Sequence, residues 1–295
     1  MNDFKKYLDN YSRLITNKIL SLPELKSKKV SKLEKAIKYV INVGGKRLRP
    51  ILVLEISNIL DVPLENAMRV GVALELIHCY SLVHDDLPAM DDDKTRRGFP
   101  TCHVKFDEAT AILVGDALQC AAFHVLSNLK THPDGNIRCK LINQLSKSSG
   151  LNGMVGGQML DLMAEQKKLA IEDILILQRL KTGELFRFAC VSPCILGNKS
   201  KKTFDIFEKF SVNLGVAFQI QDDLLDIEGE EKIVGKKIRK DSTQGKQTFI
   251  TSLGVDQAKV KARSLIEECV ELVSCFSKNT DNLVKITNLI INRSY

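Results

Sequence analysis

The chain has 295 residues, 44% of them hydrophobic, so it is long enough to bury a sizeable core as one large domain or two ordinary ones. Its formal net charge of +7 favours anionic ligands but does not distinguish a nucleic acid, a membrane surface and a phosphorylated metabolite. Aromatic residues make up only 6% and tryptophan is absent, which disfavours a nucleic-acid-binding surface built on stacking aromatics.

Apolar residues recur at helical spacing along most of the chain. This period predicts helices, and the alternating runs and tight-turn signals that are typical of hairpins are nearly absent. The clearest helical segments are residues 33–43, 70–81, 171–187 and 204–227. We therefore expect an all-α fold in a single domain that covers residues 1–295. The alternative is a two-domain α protein divided near residues 130–140.

Eight cysteines are present, and none forms a CxxC pair, which disfavours a zinc site. Most of them lie in apolar stretches and are expected to be reduced core residues. The first twenty residues mix charged and apolar side chains and do not resemble a signal peptide. No apolar run was identified that reaches the roughly 18–20 residues of a membrane span. We therefore expect a cytoplasmic protein with no stable membrane anchor.

A first acidic cluster, Asp85, Asp86 and Asp91, follows the apolar segment at 70–81. On a straight helix Asp91 points about 120° away from Asp85. However, Pro88 lacks the N–H group that a continuing helix needs to bond the carbonyl of His84. The sequence therefore predicts that the helix bends or ends near Pro88, which returns Asp91 toward Asp85.

A second acidic cluster, Asp222, Asp223 and Asp226, falls within about one third of a helix circumference. Close carboxylates repel one another, so a cation is needed to stabilise them. Mg²⁺ prefers such oxygen ligands and completes its coordination with substrate phosphates. Two facing metal sites are favoured over two solvated helix ends. The glycine and terminal glutamate of an EF-hand loop are missing.

Seven segments together resemble the motifs of the trans-prenyltransferase, or polyprenyl diphosphate synthase, family. The first acidic motif has the DDxxxxD spacing of bacterial members that make farnesyl diphosphate. In chain order the segments are residues 44–50, 85–91, 96–98, 115–118, 156–161, 181–183 and 218–223. The resemblance implies an all-α helical bundle around a deep central cavity, usually in a homodimer. Residues 235–249 depart from the family pattern, since Arg239 replaces a usual glycine and Phe249 follows Thr248.

The resemblance also implies which residues bind the diphosphates and the metal. Isopentenyl diphosphate is expected at Lys46, Arg49, His78 and Arg97, and the allylic diphosphate is expected at Arg96. Three Mg²⁺ ions are expected with the allylic diphosphate, held by Asp85, Asp91 and Asp222, with Asp86 and Asp226 as second choices. After the second acidic motif, Lys236 and Lys246 are expected to help bind diphosphate.

The reaction implied by the resemblance is head-to-tail prenyl transfer by ionisation, condensation and elimination. Isopentenyl diphosphate is joined to dimethylallyl and then geranyl diphosphate, and farnesyl diphosphate is the product. The polar groups expected to face the developing cation are Lys181, Thr182 and Gln219. On a helix Tyr80 and Ser81 lie about one turn before Asp85. A bulky Tyr80 there is interpreted as the floor of the product cavity, with simple packing between helices as the alternative.

Other functions stay open at the level of sequence. The same motifs fit a longer-chain synthase that makes geranylgeranyl diphosphate. A different class is a non-catalytic partner subunit that modulates an active synthase, but such subunits commonly lose one acidic motif and both are intact here. A terpene cyclase is disfavoured because its usual motifs are one acidic cluster and an Asn/Ser/Glu set. A nucleic-acid-binding role, prompted by the net charge, predicts a clustered basic stripe with stacking aromatics, whereas aromatic residues are scarce and carboxylates lie at the proposed site.

Overall fold

The structure, a computed structural model, describes residues 2–164, 171–228, 254–276 and 279–291. The predicted all-α fold is confirmed. The helices are α1 Asn2–Leu20, α2 Ser31–Asn42, α3 Leu48–Ile59, α4 Leu64–Asp85, α5 Cys102–Lys105, α6 Glu108–Ser127, α7 Gly135–Ser149, α8 Met154–Ala164, α9 Ile171–Gln178, α10 Glu184–Leu196, α11 Lys201–Glu228, α12 Val255–Val273 and α13 Asp281–Ile291, with a 3₁₀ turn at Pro23–Leu25 and a π-helical turn at Arg179–Gly183.

Strand structure within the described ranges is limited to one short hairpin, formed by β1 (Thr95–Arg96) and β2 (Phe99–Pro100). The strands are antiparallel, with Arg96 opposite Phe99. Both residues of the connecting turn have positive φ, 54° at Arg97 and 80° at Gly98. Positive φ at both central residues is the signature of the turn that matches strand twist in two-residue hairpins. The hairpin thereby places Arg96 at the end of β1 and Arg97 in the connecting turn.

The described chain groups into two compact units. The first contains Met1–Leu54 and Pro63–Ile142, and the second contains Glu55–Val62 and Asn143–Tyr295. The boundary after Ile142 lies close to the 130–140 stretch at which the sequence suggested an alternative division. The single-domain interpretation stays a prediction.

The centre of the first unit is α4, which packs along α6 and is buried on nearly all sides. A helix that is apolar around its whole circumference is typical of a core position. The two helices approach closely at Gly115, where an added Cβ would lie 2.0 Å from Nε2 of His84. The same Nε2 lies 3.0 Å from the carbonyl of Ile112. The Gly-Asp-Ala-Leu motif therefore has a packing role, because only glycine leaves room for the His84 ring.

The second unit is built on α10, α11 and α12. Its core contains phenylalanines with no exposed surface, and the Phe186 ring packs 4.8 Å from that of Phe218. The π-helical turn at Arg179–Gly183 contacts both α8 and α11. An added Cβ at Gly157 of α8 would lie 2.1 Å from the backbone nitrogen of Lys181. Gly157 thus permits the π-helical turn to approach α8 backbone to backbone.

Helix α6 has a property that the sequence analysis missed. Among the described residues it is the one helix long and apolar enough to cross a membrane by length and composition, with a mean hydropathy of 1.5 in its most apolar window. Half of that window is buried inside the protein. Core helices of soluble proteins pass the same test, so α6 is weak evidence for a membrane span.

All eight cysteines are free thiols. Five are buried, and the other three, Cys120, Cys139 and Cys275, are exposed. Burial raises the pKa of the Cys79 thiol to about 11 and that of Cys269 to about 12. These buried thiols are therefore protonated and inert at neutral pH.

Candidate active site

The first acidic cluster lies where α4 ends. Helix α4 ends at Asp85, before Pro88, and the next turn is closed by a bond from the Leu87 amide to the His84 carbonyl. The backbone amide of Asp91 then donates to the carbonyl of Asp85 at 2.9 Å. The chain therefore turns back on itself and brings the backbones of Asp85 and Asp91 together, and both residues are half-buried.

Asp86 faces a different partner, the guanidinium of Arg96. Nε of Arg96 donates to the two carboxylate oxygens of Asp86 at 2.8 and 3.0 Å. Asp86 is only 3% exposed, and burial raises the pKa of its carboxyl group although the bonds from Arg96 act in the opposite direction. Both oxygens of Asp86 thus accept hydrogen bonds from Arg96, and Asp85 and Asp91 are the more exposed carboxylates of this cluster.

Positive charge gathers around His78 in the first unit. Burial lowers the pKa of His78 well below its usual value, and the charges of Arg49 and Arg97 lower it further. His78 is therefore a neutral imidazole at physiological pH. The guanidinium groups around His78 form the environment that a polyanion such as a diphosphate requires.

A small cavity of about 40 Å³ lies beside Arg96 and Arg97. Most of its lining is apolar, for example Val40 and Leu82, but Asp86, Arg96 and Arg97 also contribute. The volume is enough for about one water molecule. Polar groups in its wall therefore lie next to a space that is already open in the folded protein.

The two residues that are predicted to set product length pack on α4. Tyr80 is 7% exposed, its ring meets that of His84 edge-on at 5.4 Å, and its hydroxyl bonds the side chain of Gln119. Ser81 donates from its hydroxyl to the carbonyl of His78 at 3.0 Å. Burial raises the pKa of Tyr80, so its hydroxyl stays protonated. Tyr80 is thus a rigidly held bulky side chain one turn before the acidic cluster.

The second acidic cluster lies near the end of α11 in the second unit. Asp222 is half-buried, whereas Asp223 is 3% exposed and accepts a hydrogen bond of 2.9 Å from the side-chain amide of Gln219. The side chain of Asp226 lies outside the described residues, as do Lys236 and Lys246. Of the two described carboxylates in this cluster, Asp222 is therefore the more exposed to solvent.

The π-helical turn presents Lys181 and Thr182, both half-buried. Nζ of Lys181 donates to a carboxylate oxygen of Asp161 at 2.6 Å. On the same helix as Asp161, Gln158 is buried, and among the described residues neither polar atom of its side chain has a hydrogen-bond partner. π-Helical turns occur frequently at functional sites, and here one orients an ammonium group.

The described residues fit the binding of Mg²⁺ through few protein ligands. Within the described ranges no three His, Cys, Asp or Glu side chains form a ready metal-binding group. Mg²⁺ is usually held by one or two carboxylates together with water and substrate phosphates. The pair Asp85 and Asp91 satisfies that requirement in the first unit.

Sequence reasoning missed two residues that anchor cations in this protein, Asp161 and Glu75. Asp161 bonds Lys181, and Glu75 forms an ion pair with Arg47 in which the two side chains are 3% and 1% exposed. One signal was available, because Glu75 stands inside the apolar segment at 70–81 and a buried charge needs a partner. The identity of that partner depends on tertiary structure.

Comparison with known proteins shows what this chain is similar to. The profile of the family described as Polyprenyl synthetase matches residues 30–287. Farnesyl diphosphate synthase of Bacillus subtilis is 37% identical over 99% of this chain and 97% of its own length. Farnesyl diphosphate synthase of Micrococcus luteus is 42% identical over 90% of each chain.

Two solved structures share the fold over almost the whole length. An FPP/GFPP synthase from Zymomonas mobilis has a TM-score of 0.88 and 39% identity, covering 98% of this chain and 99% of the other. The geranylgeranyl pyrophosphate synthetase from Pyrococcus horikoshii has a TM-score of 0.89 and 28% identity, covering 99% of each.

Proposed function

We propose, from the premise that this chain belongs to the polyprenyl synthetase family, that it makes farnesyl diphosphate by head-to-tail prenyl transfer. The substrates are isopentenyl diphosphate as the acceptor and dimethylallyl or geranyl diphosphate as the allylic donor. The observation that carries this proposal is the end of α4, where carboxylates and guanidinium groups stand side by side. Such a mixture suits a diphosphate bound together with Mg²⁺.

Isopentenyl diphosphate is proposed to bind at Lys46, Arg49, His78 and Arg97. Lys46 is exposed and Arg49 is half-buried. His78 is neutral, so it contributes a hydrogen bond and no charge. The positive field therefore comes from the lysine and the two arginines.

The allylic diphosphate is proposed to bind at Arg96 and at Mg²⁺ ions held by Asp85, Asp91 and Asp222. When bound, Mg²⁺ neutralises the charge that develops on the diphosphate as the allylic C–O bond breaks. Because Arg96 is fixed by Asp86, its guanidinium is pre-oriented and loses little freedom when it meets the phosphate oxygens. Asp86 therefore acts in the proposal through Arg96, and its own place among the metal ligands remains secondary.

The groups assigned to the developing cation are Lys181, Thr182 and Gln219. Ionisation leaves a delocalised allylic cation, which a water-excluding cavity protects from hydrolysis. The double bond of isopentenyl diphosphate attacks this cation, and a proton then leaves to the departed diphosphate. No protein nucleophile is required by this route. The role proposed for Lys181 and its neighbours is to place fixed polar groups around the developing cation.

A geranylgeranyl diphosphate synthase is the second candidate, and the Pyrococcus horikoshii relative carries that name. The bulk of Tyr80 favours the shorter product. The proposal also includes a homodimer in the cytoplasm that acts on small isoprenoid diphosphates and takes neither a nucleic acid nor a stable membrane anchor as partner. A non-catalytic subunit remains the candidate from a different class.

The decisive experiment is incubation of the purified protein with isopentenyl and dimethylallyl diphosphates and Mg²⁺, followed by sizing of the products by chromatography. A fifteen-carbon product supports the proposal, and a twenty-carbon product supports the second candidate. Chelation of Mg²⁺ by EDTA serves as the matched control and should abolish turnover. A protein that forms no product under these conditions, but raises the activity of an added synthase, would be a non-catalytic subunit.

A further inference from the structure

The N-terminal helix contacts the Gly-Gly-Lys-Arg loop through two hydroxyl groups. The hydroxyl of Ser12 donates to the carbonyl of Gly45 at 2.9 Å, and Nε of Arg47 donates to the hydroxyl of Thr16 at 3.3 Å. Ser12 and Thr16 are four residues apart on α1 and so lie on one face of the helix. Helix α1 precedes the stretch matched by the family profile, which begins at residue 30.

The loop that these hydroxyls hold has an unusual backbone. Gly44 and Gly45 have φ of 83° and 140°, and Arg47 has φ of 49°. Positive φ is uncommon for a residue with a side chain and persists only where the surrounding structure enforces it. The loop therefore depends on contacts from outside itself.

The side chain of Arg47 provides an anchor inside the protein. It is 1% exposed, and its guanidinium donates to Glu75 and to the carbonyl of Ile41, both at 2.7 Å. Lys46, the preceding residue, is exposed. Of these two adjacent residues, Arg47 thus anchors the loop inside the protein and Lys46 presents its cation at the surface.

The same loop supports another cation. An added Cβ at Gly45 would lie 2.5 Å from Nη1 of Arg97, so the guanidinium of Arg97 packs directly against Gly45. Ser12 fixes the carbonyl of this same glycine. The position of Arg97 is therefore coupled to the bond made by α1.

We infer that α1 is a positioning element for the isopentenyl diphosphate site, and that Ser12 and Thr16 are its positioning residues. The hydroxyls hold Gly45 and Arg47, and through them Lys46 and Arg97 are kept in place before the diphosphate arrives. Preorganisation of this kind strengthens binding by lowering the cost of ordering the loop. This inference rests on the proposed function, and it concerns one substrate of the two.

The test is the double variant Ser12→Ala/Thr16→Val in the full-length protein. The loss of two hydrogen bonds is expected to raise KM for isopentenyl diphosphate on the order of tenfold. Both kcat and the KM for the allylic diphosphate are expected to stay within about twofold of their wild-type values. The thermal shift that isopentenyl diphosphate itself produces should shrink, which gives a reading independent of turnover.

Two control variants separate positioning from general loosening of α1. Lys18→Met removes the ion pair of α1 with Glu65 of α4, 2.5 Å long, which lies apart from the loop contacts. Its KM should stay at the wild-type value. In the background of Ser12→Ala, Thr16→Ser keeps a hydroxyl and should reverse most of the increase in KM that Thr16→Val causes.

The outcomes distinguish the inference from the function on which it rests. An inactive wild-type protein overturns the proposed function and the inference together. An active wild-type protein with an unchanged KM in the double variant overturns the inference alone. The same holds if both substrates lose affinity equally, or if Lys18→Met raises KM as much as the double variant does.

Discussion

Arg96 donates to both carboxylate oxygens of Asp86, at 2.8 and 3.0 Å. Asp223 in the second acidic cluster is held in a similar way by Gln219. Asp86 and Asp223 are each 3% exposed, whereas Asp85 and Asp222 are half-buried. In each Asp-Asp pair, therefore, the second residue is held inside the protein and the first is the more exposed to solvent.

This difference in burial and hydrogen bonding predicts different results for neighbouring aspartates. Asp85→Ala and Asp222→Ala are each expected to lower kcat by about a hundredfold or more, because charge on the leaving group loses its compensation. Asp86→Asn is expected to raise KM for the allylic diphosphate and to leave the Mg²⁺ concentration for half-maximal rate nearly unchanged. Steady-state kinetics over a range of Mg²⁺ concentrations measures both effects. Full activity of Asp85→Ala or Asp222→Ala would contradict the metal assignment.

The ion pair between Lys181 and Asp161 predicts a positioning effect in the second unit. Asp161→Asn keeps the shape of the side chain but removes the charge that orients the ammonium group. We expect kcat to fall about tenfold, with KM for isopentenyl diphosphate unchanged. Glu208→Gln is the control, since it removes the negative charge that pairs with Arg187 in another partly exposed ion pair of the same unit. An equal fall of kcat in both variants would show that the effect is not specific to Lys181.

The close approach of α4 and α6 predicts a cost for any side chain at Gly115. A methyl group there collides with the His84 ring, which is itself held by Ile112 and packed on Tyr80. Gly115→Ala is therefore expected to reduce the free energy of unfolding by about 1–3 kcal/mol. Urea unfolding measures this loss. Gly135→Ala, where the nearest neighbour lies 3.6 Å away, should not be destabilised, and equal stability of the two variants would refute the packing argument.

Several features of the fold follow from local sequence. Helical apolar spacing predicted the all-α class, and the missing N–H of Pro88 accounts for the end of α4 before that residue. The approach of Asp91 to Asp85 follows from that local break. These inferences work because each depends on residues that are close together in the chain.

Other features of the site depend on contacts between distant segments. Lys46 and Arg47 are adjacent cations, and only the fold shows that one is exposed while the other is buried against Glu75. Likewise, Asp161 and Lys181 are too far apart in the chain for helical periodicity to predict their contact. The partners of buried charges are set by tertiary packing, so sequence could name the cations but not their anchors.

Product length gives a prediction at Tyr80. If its ring is the floor of the product cavity, Tyr80→Ala opens space one helical turn before Asp85 and products longer than fifteen carbons should accumulate. Ser81→Ala removes only a hydroxyl that bonds the His78 carbonyl, so any lengthening of the product should be smaller than that caused by Tyr80→Ala. Chromatography of the prenyl products measures both. Only the fifteen-carbon product from Tyr80→Ala would show that Tyr80 merely packs between α4 and α6.

The neutral state of His78 predicts how stability depends on pH. Burial and the neighbouring arginines hold the pKa of His78 well below 6.5 in the folded protein, whereas in the unfolded chain it returns to about 6.5. Below that pH the unfolded chain binds a proton that the folded protein does not, so acidification favours unfolding. From this residue the free energy of unfolding should fall by at most about 1.4 kcal/mol per pH unit until the folded pKa is reached.

Urea unfolding of His78→Gln between pH 5.5 and 7.5 isolates this contribution, because glutamine does not titrate. The variant should have a flatter dependence of stability on pH than wild type over this window. His124→Gln is the matched control, since the side chain of His124 is 61% exposed and lies apart from the arginine group. If His78→Gln keeps the full wild-type slope, His78 takes up a proton in the folded protein as readily as in the unfolded chain. The inference that burial and the neighbouring positive charge lower its pKa would then be wrong.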